Sequence, residues 1–134
     1  MKRTLAFEPR STTLAVGRSL VALADLLVVV FTSDADLFPG VSGVPPGPRC
    51  DGLRAVSMWC MGSGVTTSTV SRFASIVVLL LVASGYRPRW TCIPHWYVTF
   101  SLSVTIHVPS GGEQAAQLLT LLLIPLCLGD HRTW

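Results

Sequence analysis

Four apolar runs divide this chain, and polar or turn-forming residues separate them. The runs cover residues 14–31, 69–85, 97–108 and 114–128. The first approaches the length of about 20 residues that an α-helix needs to cross a bilayer, and the others are shorter. The pattern predicts an all-α fold, a polytopic transmembrane helical bundle with about four spanning helices.

The third run carries a second pattern that competes with a helix. From Thr99 to His107, hydroxyl or imidazole residues alternate with apolar ones, and a period of two is typical of a β-strand. A lone strand in a bilayer would leave its backbone polar groups without partners, because only helices and closed barrels satisfy them there. As a helix, the run places Thr99, Ser103 and His107 on one face. We therefore interpret it as a helix.

Proline and glycine are concentrated between the first two runs. Four prolines lie between residues 39 and 48, with glycines among them. Such a density of turn formers marks a loop outside the hydrocarbon. The sequence thus predicts a Pro/Gly-rich extracytoplasmic loop over residues 32–66, with a short interfacial helix at residues 53–61.

The basic residues indicate how the bundle is oriented. Lysine and arginine prefer the cytoplasmic side of short membrane loops. With the N-terminus inside, the outer segments carry only Arg49 and Arg54. The inner segments carry six basic residues: Lys2, Arg3, Arg10, Arg87, Arg89 and Arg132. We predict a multi-pass protein of the cell membrane with a cytoplasmic N-terminus.

The four cysteines fall into two pairs. Cys50 and Cys60 lie in the outer loop, on the oxidising side, where a disulfide can persist. Their spacing permits a bridge without requiring one. Cys92 and Cys127 are predicted to be free, since the first faces the cytoplasm and the second lies in a span. No C-x-x-C pair occurs, so no metal site is predicted.

Composition and charge narrow the class of protein. Half of the residues are hydrophobic, only 13% are charged, and the mean hydropathy is +0.57, whereas average soluble domains carry roughly 25% charge. The formal charge of +3 is scattered, without a basic patch interleaved with aromatics. Nucleic-acid binding is therefore excluded, and the lipid bilayer is the expected surroundings of a single membrane domain spanning residues 1–134.

Two charged residues lie within the first run. Arg18 is close enough to its start to reach the interface with its long side chain, whereas Asp25 is close to neither end. A carboxylate inside a spanning helix usually faces a partner or a wet cavity. The seven-residue separation corresponds to a rise of about 10.5 Å, so the two cannot pair directly. Arg72, at the entrance of the second run, is the one internal candidate partner for Asp25.

The turn between the last two runs gathers further polar residues, His107, Glu113, Gln114 and Gln117. A histidine and a carboxylate near one another are what general acid–base chemistry needs. The alternative is that Glu113 merely caps the last helix, because residues 110–113 match a Ser-x-x-Glu capping box, while His107 lies in the headgroup layer.

Several segments resemble one family of membrane proteins. The run Leu-Leu-Val-Ala-Ser-Gly-Tyr-Arg-Pro-Arg-Trp lies at residues 80–90, Pro-His-Trp-Tyr-Val at 94–98, Gly-Gly-Glu-Gln at 111–114 and Leu-Leu-Leu-Ile-Pro at 121–125. Together they resemble the sporulation-delaying protein B-like family. That family is part of the horizontally transferred transmembrane domain superfamily, which includes the membrane part of vitamin K-dependent gamma-carboxylase. The positions of Cys50, Cys60 and Arg18 are also similar.

The resemblance implies a multi-helix bacterial membrane protein, in some members required to mature or export a secreted peptide toxin. Family members are usually about twice as long, so the chain is expected to correspond to the N-terminal half of such a domain. Neither a substrate nor a cofactor can be named; the distant kinship with the carboxylase would imply a reduced quinone, which we do not adopt.

Three functional hypotheses follow. The first is a membrane-embedded enzyme or maturation factor acting on a peptide at the extracytoplasmic face, with Asp25, His107 and Glu113 as its catalytic centre. Polar support for this centre would come from Arg18, Gln114 and Gln117. The second is a non-catalytic helper that binds a peptide, a partner membrane protein or a second copy of itself. The third is an inactive truncated fragment.

Overall fold

The fold is all-helical, as the apolar runs predict. A computed structural model describes residues 12–62, 65–106 and 111–129 of the chain. Within these ranges there is no β-strand, only an isolated bridge between Val41 and Val44. The elements in order are α1 (Thr12–Phe31), α2 (Asp34–Leu37), a 3-10 helix (Gly52–Val56), α3 (Val65–Ala83), α4 (Pro88–Thr105) and α5 (Gly111–Leu128).

Helix α1 buries one stripe of its surface. The buried residues Arg18, Ala22, Leu26 and Val29 recur every three or four positions, which is the spacing of one helical face. Asp25, half-buried, lies on the same face. This face packs against α3, whose own buried stripe contains Ser71, Ser75, Leu79 and Val82. Two charged residues of α1 are therefore turned into the bundle.

Helix α4 is the central element, since it packs against both α3 and α5. Most of its buried side chains carry a hydroxyl group, a thiol or an imidazole. The Thr99 hydroxyl lies 3.0 Å from that of Thr120, and the Ser103 hydroxyl donates a 2.7 Å hydrogen bond to Gln117. Such bonds fasten neighbouring helices where the surroundings are apolar. The helical interpretation of the third run is confirmed.

The start of α4 was not predicted. The third apolar run begins at residue 97, but the helix already begins at Pro88. Proline is well suited to the first helical position, because its missing N–H has no partner there. Arg87 precedes it with φ of 34°, a left-handed conformation that closes the chain reversal after α3.

The segment between α1 and α3 folds onto one end of the bundle. Phe38 and Trp59 are both 2% exposed and meet edge to face at 5.4 Å. The Tyr97 hydroxyl donates to the Val56 carbonyl at 2.7 Å, and the Met58 N–H donates to the Ser101 hydroxyl at 3.2 Å. The short helix predicted at residues 53–61 is shorter than expected, because only the 3-10 helix Gly52–Val56 forms there.

Among the described residues, two helices are long and apolar enough to cross a membrane, α1 and α5. The apolar part of α3, Ser68–Ala83, is shorter, and the hydroxyl-rich α4 is less apolar. The prediction of four spans is therefore not confirmed. Large apolar side chains are nevertheless exposed along the helices, for example Leu20 at 60%, Phe73 at 65% and Leu122 at 67%. Exposed apolar surface of this kind is compatible with a membrane location.

Candidate functional site

A histidine and an aspartate face each other in the interior of the bundle. His95 Nε2, on α4, lies 4.0 Å from Asp25 Oδ2, on α1. Their side chains are 2% and 14% exposed. Each residue belongs to the buried face of its own helix, so the packing of the helices brings them together. We call Arg18, Asp25 and His95 the polar centre.

The polar centre holds atoms that lack hydrogen-bond partners. Asp25 Oδ2, His95 Nε2 and Arg18 Nε are all buried, and none makes a hydrogen bond to another described residue. A buried polar atom without a partner costs free energy of roughly 1–3 kcal/mol. Native proteins keep few such atoms, and those they keep need an explanation, such as a catalytic role or a bound molecule. Seven such atoms occur among the described residues, and three of them gather in the polar centre, which marks this region as the candidate site.

Arg18 does not reach the interface, contrary to the prediction. It is only 4% exposed, and its Nη1 atom lies 3.9 Å from the Sγ atom of Cys127 on α5. The reason is its position on the same stripe as Ala22 and Leu26, which turns the guanidinium into the bundle. Arg18 also lies near enough to His95 to interact with it electrostatically.

The two free cysteines adjoin the polar centre. Cys92 and Cys127 are both buried and unbridged, as predicted. Their thiols lie within hydrogen-bonding reach of each other, because α4 and α5 pack side by side. The sequence had placed one at the cytoplasmic face and the other inside a span, and gave no reason to bring them together.

Arg72 is not the partner of Asp25. Its Nη2 atom lies 2.7 Å from Asp34 Oδ1 and donates to the Thr32 carbonyl at 2.6 Å. Thr32 and Asp34 lie just beyond the end of α1, so the arginine ties α3 to that end instead of reaching the middle of α1. Arg72, the candidate partner that the sequence offered for Asp25, thus pairs with Asp34 instead.

The structure brings together part of the predicted catalytic trio. Glu113, in the first turn of α5, is half-buried and near enough to Asp25 for their carboxylates to interact electrostatically. His107 lies outside the described residues. The imidazole beside Asp25 is that of His95. Among the described residues, no three His, Cys, Asp or Glu side chains come together as a metal-binding group.

The predicted supporting residues divide between two places. Arg18 belongs to the polar centre. Gln117 accepts the hydrogen bond from Ser103, and Gln114 lines a cavity at the same end of the bundle. Cys50 and Cys60, in the segment that covers this end, form a disulfide with their Cα atoms 5.6 Å apart. The bridge that the spacing permitted is thus present.

Sequence reasoning missed His95, although a signal existed. Cys92, His95 and Thr99 follow one another at spacings of three and four residues, which place them on one face of a helix. The helix predicted from the third apolar run began at residue 97, which was too late to include Cys92 and His95.

The geometry suits proton transfer. A separation of 4.0 Å is longer than a hydrogen bond between reacting groups, which is about 2.6–3.2 Å. An imidazole and a carboxylate so placed can exchange a proton directly once a small movement of either side chain brings them together. The positive charge of Arg18 can offset a negative charge that develops nearby.

Comparison with known proteins identifies two relatives. The chain is 35% identical over 127 residues to the uncharacterized protein YitO of Bacillus subtilis, covering 94% of this chain and 40% of that protein. It is 32% identical over 127 residues to the sporulation-delaying protein SdpB of the same organism, covering 94% of this chain and 38% of that protein.

The chain thus spans about two fifths of the length of the curated relatives it matches. No protein-family profile matches it, and no solved structure does. The two relatives nevertheless match nearly the whole of this chain. They support its kinship with the sporulation-delaying protein B-like proteins.

Proposed function

We propose that this chain is a membrane-embedded helical unit of the sporulation-delaying protein B-like family that acts in maturing or exporting a secreted peptide toxin. In this proposal Asp25 and His95 form its reactive pair. The four long helices cross the bilayer, the N-terminus is cytoplasmic, and the disulfide-bearing segment faces outward. The observation that carries the proposal is the polar centre, whose buried atoms lack partners within the described residues.

Two further observations support the proposal. The relative named sporulation-delaying protein matches 94% of the chain, which points to the pathway of a sporulation-delaying toxin. Ionisable residues in an apolar bundle are costly, and those that occur usually mark substrate or proton pathways. Asp25 and His95 lie on different helices, so their meeting depends on the fold and not on local sequence.

The mechanism follows from the chemistry of the two groups. One of them removes a proton from the peptide or from a water that reaches the pair, and the other returns a proton to the product. Arg18 remains charged at any accessible pH and stabilises negative charge that develops at the centre. Glu113 adds a second carboxylate on the side of α5. His107, which lies outside the described residues, remains a predicted catalytic residue.

The test is the replacement of each reactive group by a similar but non-titrating one. Asp25→Asn and His95→Gln keep shape and hydrogen-bonding capacity but remove the ability to exchange protons. Since general acid–base catalysis contributes roughly 10²–10⁴-fold, we expect each variant to lower the secretion of mature toxin by about 100-fold or more. Secreted toxin is measured by killing of a sensitive strain and by mass spectrometry of the culture medium.

The matched control is Asp36→Asn. Asp36 is an exposed carboxylate in α2 that interacts only with nearby Ser33 among the described residues. This variant should secrete toxin at the wild-type rate. Immunoblots of the membrane fraction confirm that all variants accumulate equally. Normal secretion by both Asp25→Asn and His95→Gln at equal protein levels would refute the proposal.

A second candidate function is that of a non-catalytic helper that binds a partner membrane protein or another copy of the chain. The exposed apolar faces of α1 and α5 favour it, because large side chains such as Leu20 and Leu122 remain uncovered. A helper would tolerate the two conservative substitutions, since their shape is unchanged. It would instead fail when Leu122→Arg places a charge on the exposed face, with loss of the partner on co-purification.

A further inference from the structure

The segment between α1 and α3 is called the outer segment below. A cavity of about 280 Å³ lies where this segment meets the ends of α4 and α5. Its volume is slightly below the roughly 300–1,000 Å³ of pockets that hold whole small ligands. The residues that line it come from all three parts of the chain: Arg49, Arg54, Ser103, Val104, Ile106, Gln114 and Gln117. It is separate from the polar centre, since the two share no residue.

The cavity carries positive charge without compensation in the described residues. Arg49 and Arg54 both line it, and no carboxylate does. Neither guanidinium forms a salt bridge within the part of the chain that the structure describes. Arginine presents a planar fork of donors that matches a carboxylate or phosphate in two parallel hydrogen bonds. The charge therefore selects an anionic group.

The disulfide holds both arginines in place. Arg54 belongs to the loop that the Cys50–Cys60 bridge closes, and Arg49 directly precedes Cys50. The same loop is fastened to α4 through the hydrogen bond from Tyr97 to the Val56 carbonyl. Closing a loop and docking it against a helix restrict where the two guanidinium groups can go, so the positive charge stays at the mouth of the cavity.

The remaining lining residues distinguish between kinds of anion. The Gln117 oxygen accepts from Ser103, which leaves the Gln117 amide nitrogen to donate elsewhere. Gln114 offers both a donor and an acceptor, and Val104 and Ile106 offer apolar surface. A phosphate group uses donors only. The C-terminal end of a peptide uses the arginines, the glutamines and the apolar side chains together. Its carboxylate binds arginine, its last backbone amides hydrogen-bond to a carboxamide, and its last side chain packs against an apolar wall.

We infer that this cavity binds the C-terminal carboxylate of a peptide, with Arg49 and Arg54 on the carboxylate and Gln114 and Gln117 on the adjoining backbone. The inference rests on the proposed function, whose substrate is a peptide. Along α4, Ser103 lies eight residues beyond His95, a rise of about 12 Å. The buried contact between the Thr99 and Thr120 hydroxyls lies between the two places, so the cavity is a binding site apart from the polar centre.

The experiment measures peptide binding without any reaction. The full chain is reconstituted in nanodiscs of phosphatidylcholine, a lipid without net charge, and mixed with fluorescein-labelled hexapeptides of random sequence. One library ends in a free carboxylate and the other in a C-terminal amide. Because a hydrogen bond to a charged group is worth about 1.5–3 kcal/mol, fluorescence anisotropy should show at least about tenfold tighter binding of the carboxylate library.

Variants then locate the binding to the cavity. Arg49→Gln combined with Arg54→Gln should abolish the preference for the carboxylate library, and the corresponding pair of lysine substitutions should restore part of it. Arg87→Gln removes a charge at the opposite end of α4 and should leave binding unchanged. Protection of Cys50 and Cys60 from alkylation reports whether each variant keeps the disulfide of this segment.

Three results would overturn the inference: equal binding of the two libraries, a preference that survives in the folded double variant, or displacement of the peptides by inorganic phosphate at equal concentrations. The last would identify a phosphate site instead. Asp25→Asn separates this inference from the proposed function. It should bind the carboxylate library like the wild type, so normal toxin secretion by that variant would refute the reactive pair and leave the binding site standing.

Discussion

At the scale of the residue, the central finding is that Asp25 and His95 meet in the interior at 4.0 Å without a hydrogen bond between them. Two groups held this far apart by packing do not stabilise each other as a close pair would. The fold keeps them buried at a cost, with Arg18 close by. Buried polar groups that lower the stability of the fold are better explained by a role in function than by a role in folding.

Asp25 also shows what sequence can predict about single residues. Its depth in an apolar run was enough to mark it as an unusual carboxylate. Its partner could not be read in the same way, because pairing across helices depends on how each helix is rotated. Arg72 had the right charge and a plausible depth, yet the geometry gives it Asp34 and the Thr32 carbonyl.

At the scale of the element, the long helices were predictable, whereas their starts were not. Hydrophobic runs gave the positions of α1, α3 and α5 to within a few residues, because apolar length dominates there. Helix α4 was harder, since its hydroxyl residues alternate like a strand and its first turn follows Tyr86 and Arg87, whose backbone reverses the chain. The buried face of α4, including His95, is visible only when the true start at Pro88 is known.

The packing of α4 against α5 makes a testable prediction about the two free cysteines. Because the thiols of Cys92 and Cys127 lie within hydrogen-bonding reach, a short bifunctional methanethiosulfonate reagent should join them within one chain. Mass spectrometry of the digested protein would show the linked peptides. Cys92→Ser should abolish the product. Separate modification of both thiols without any crosslink would contradict the packing of these helices.

At the scale of the whole molecule, the described helices bury a few polar residues and expose large apolar side chains. Arg18 and His95 are buried and the Asp25 side chain is 14% exposed, whereas Phe73 and Trp90 are 65% and 73% exposed. The bundle also has an apolar core, so the exposed apolar surface is the feature that is compatible with a membrane location. Sequence composition predicted an excess of apolar residues, because composition depends on totals and not on individual contacts.

The proposed orientation can be tested on intact cells. Ala35→Cys puts a thiol in α2, on the segment proposed to face outward, and Trp90→Cys puts one near the opposite end of the bundle. A maleimide that cannot cross membranes should label the first in intact cells and the second only after lysis. Wild-type protein, whose free cysteines are buried, is the background control. Labelling of the second site alone would show that the orientation is reversed.

The most direct test of the polar centre is whether Asp25 and His95 act as one unit. Toxin secretion is compared among the wild type, Asp25→Asn, His95→Gln and the double variant at equal protein levels. When two residues act together in catalysis, the losses caused by substituting each of them do not add. The double variant should therefore secrete as much toxin as the single variant that secretes less. If the two losses multiply instead, the residues act independently, and the account of a shared reactive pair is contradicted.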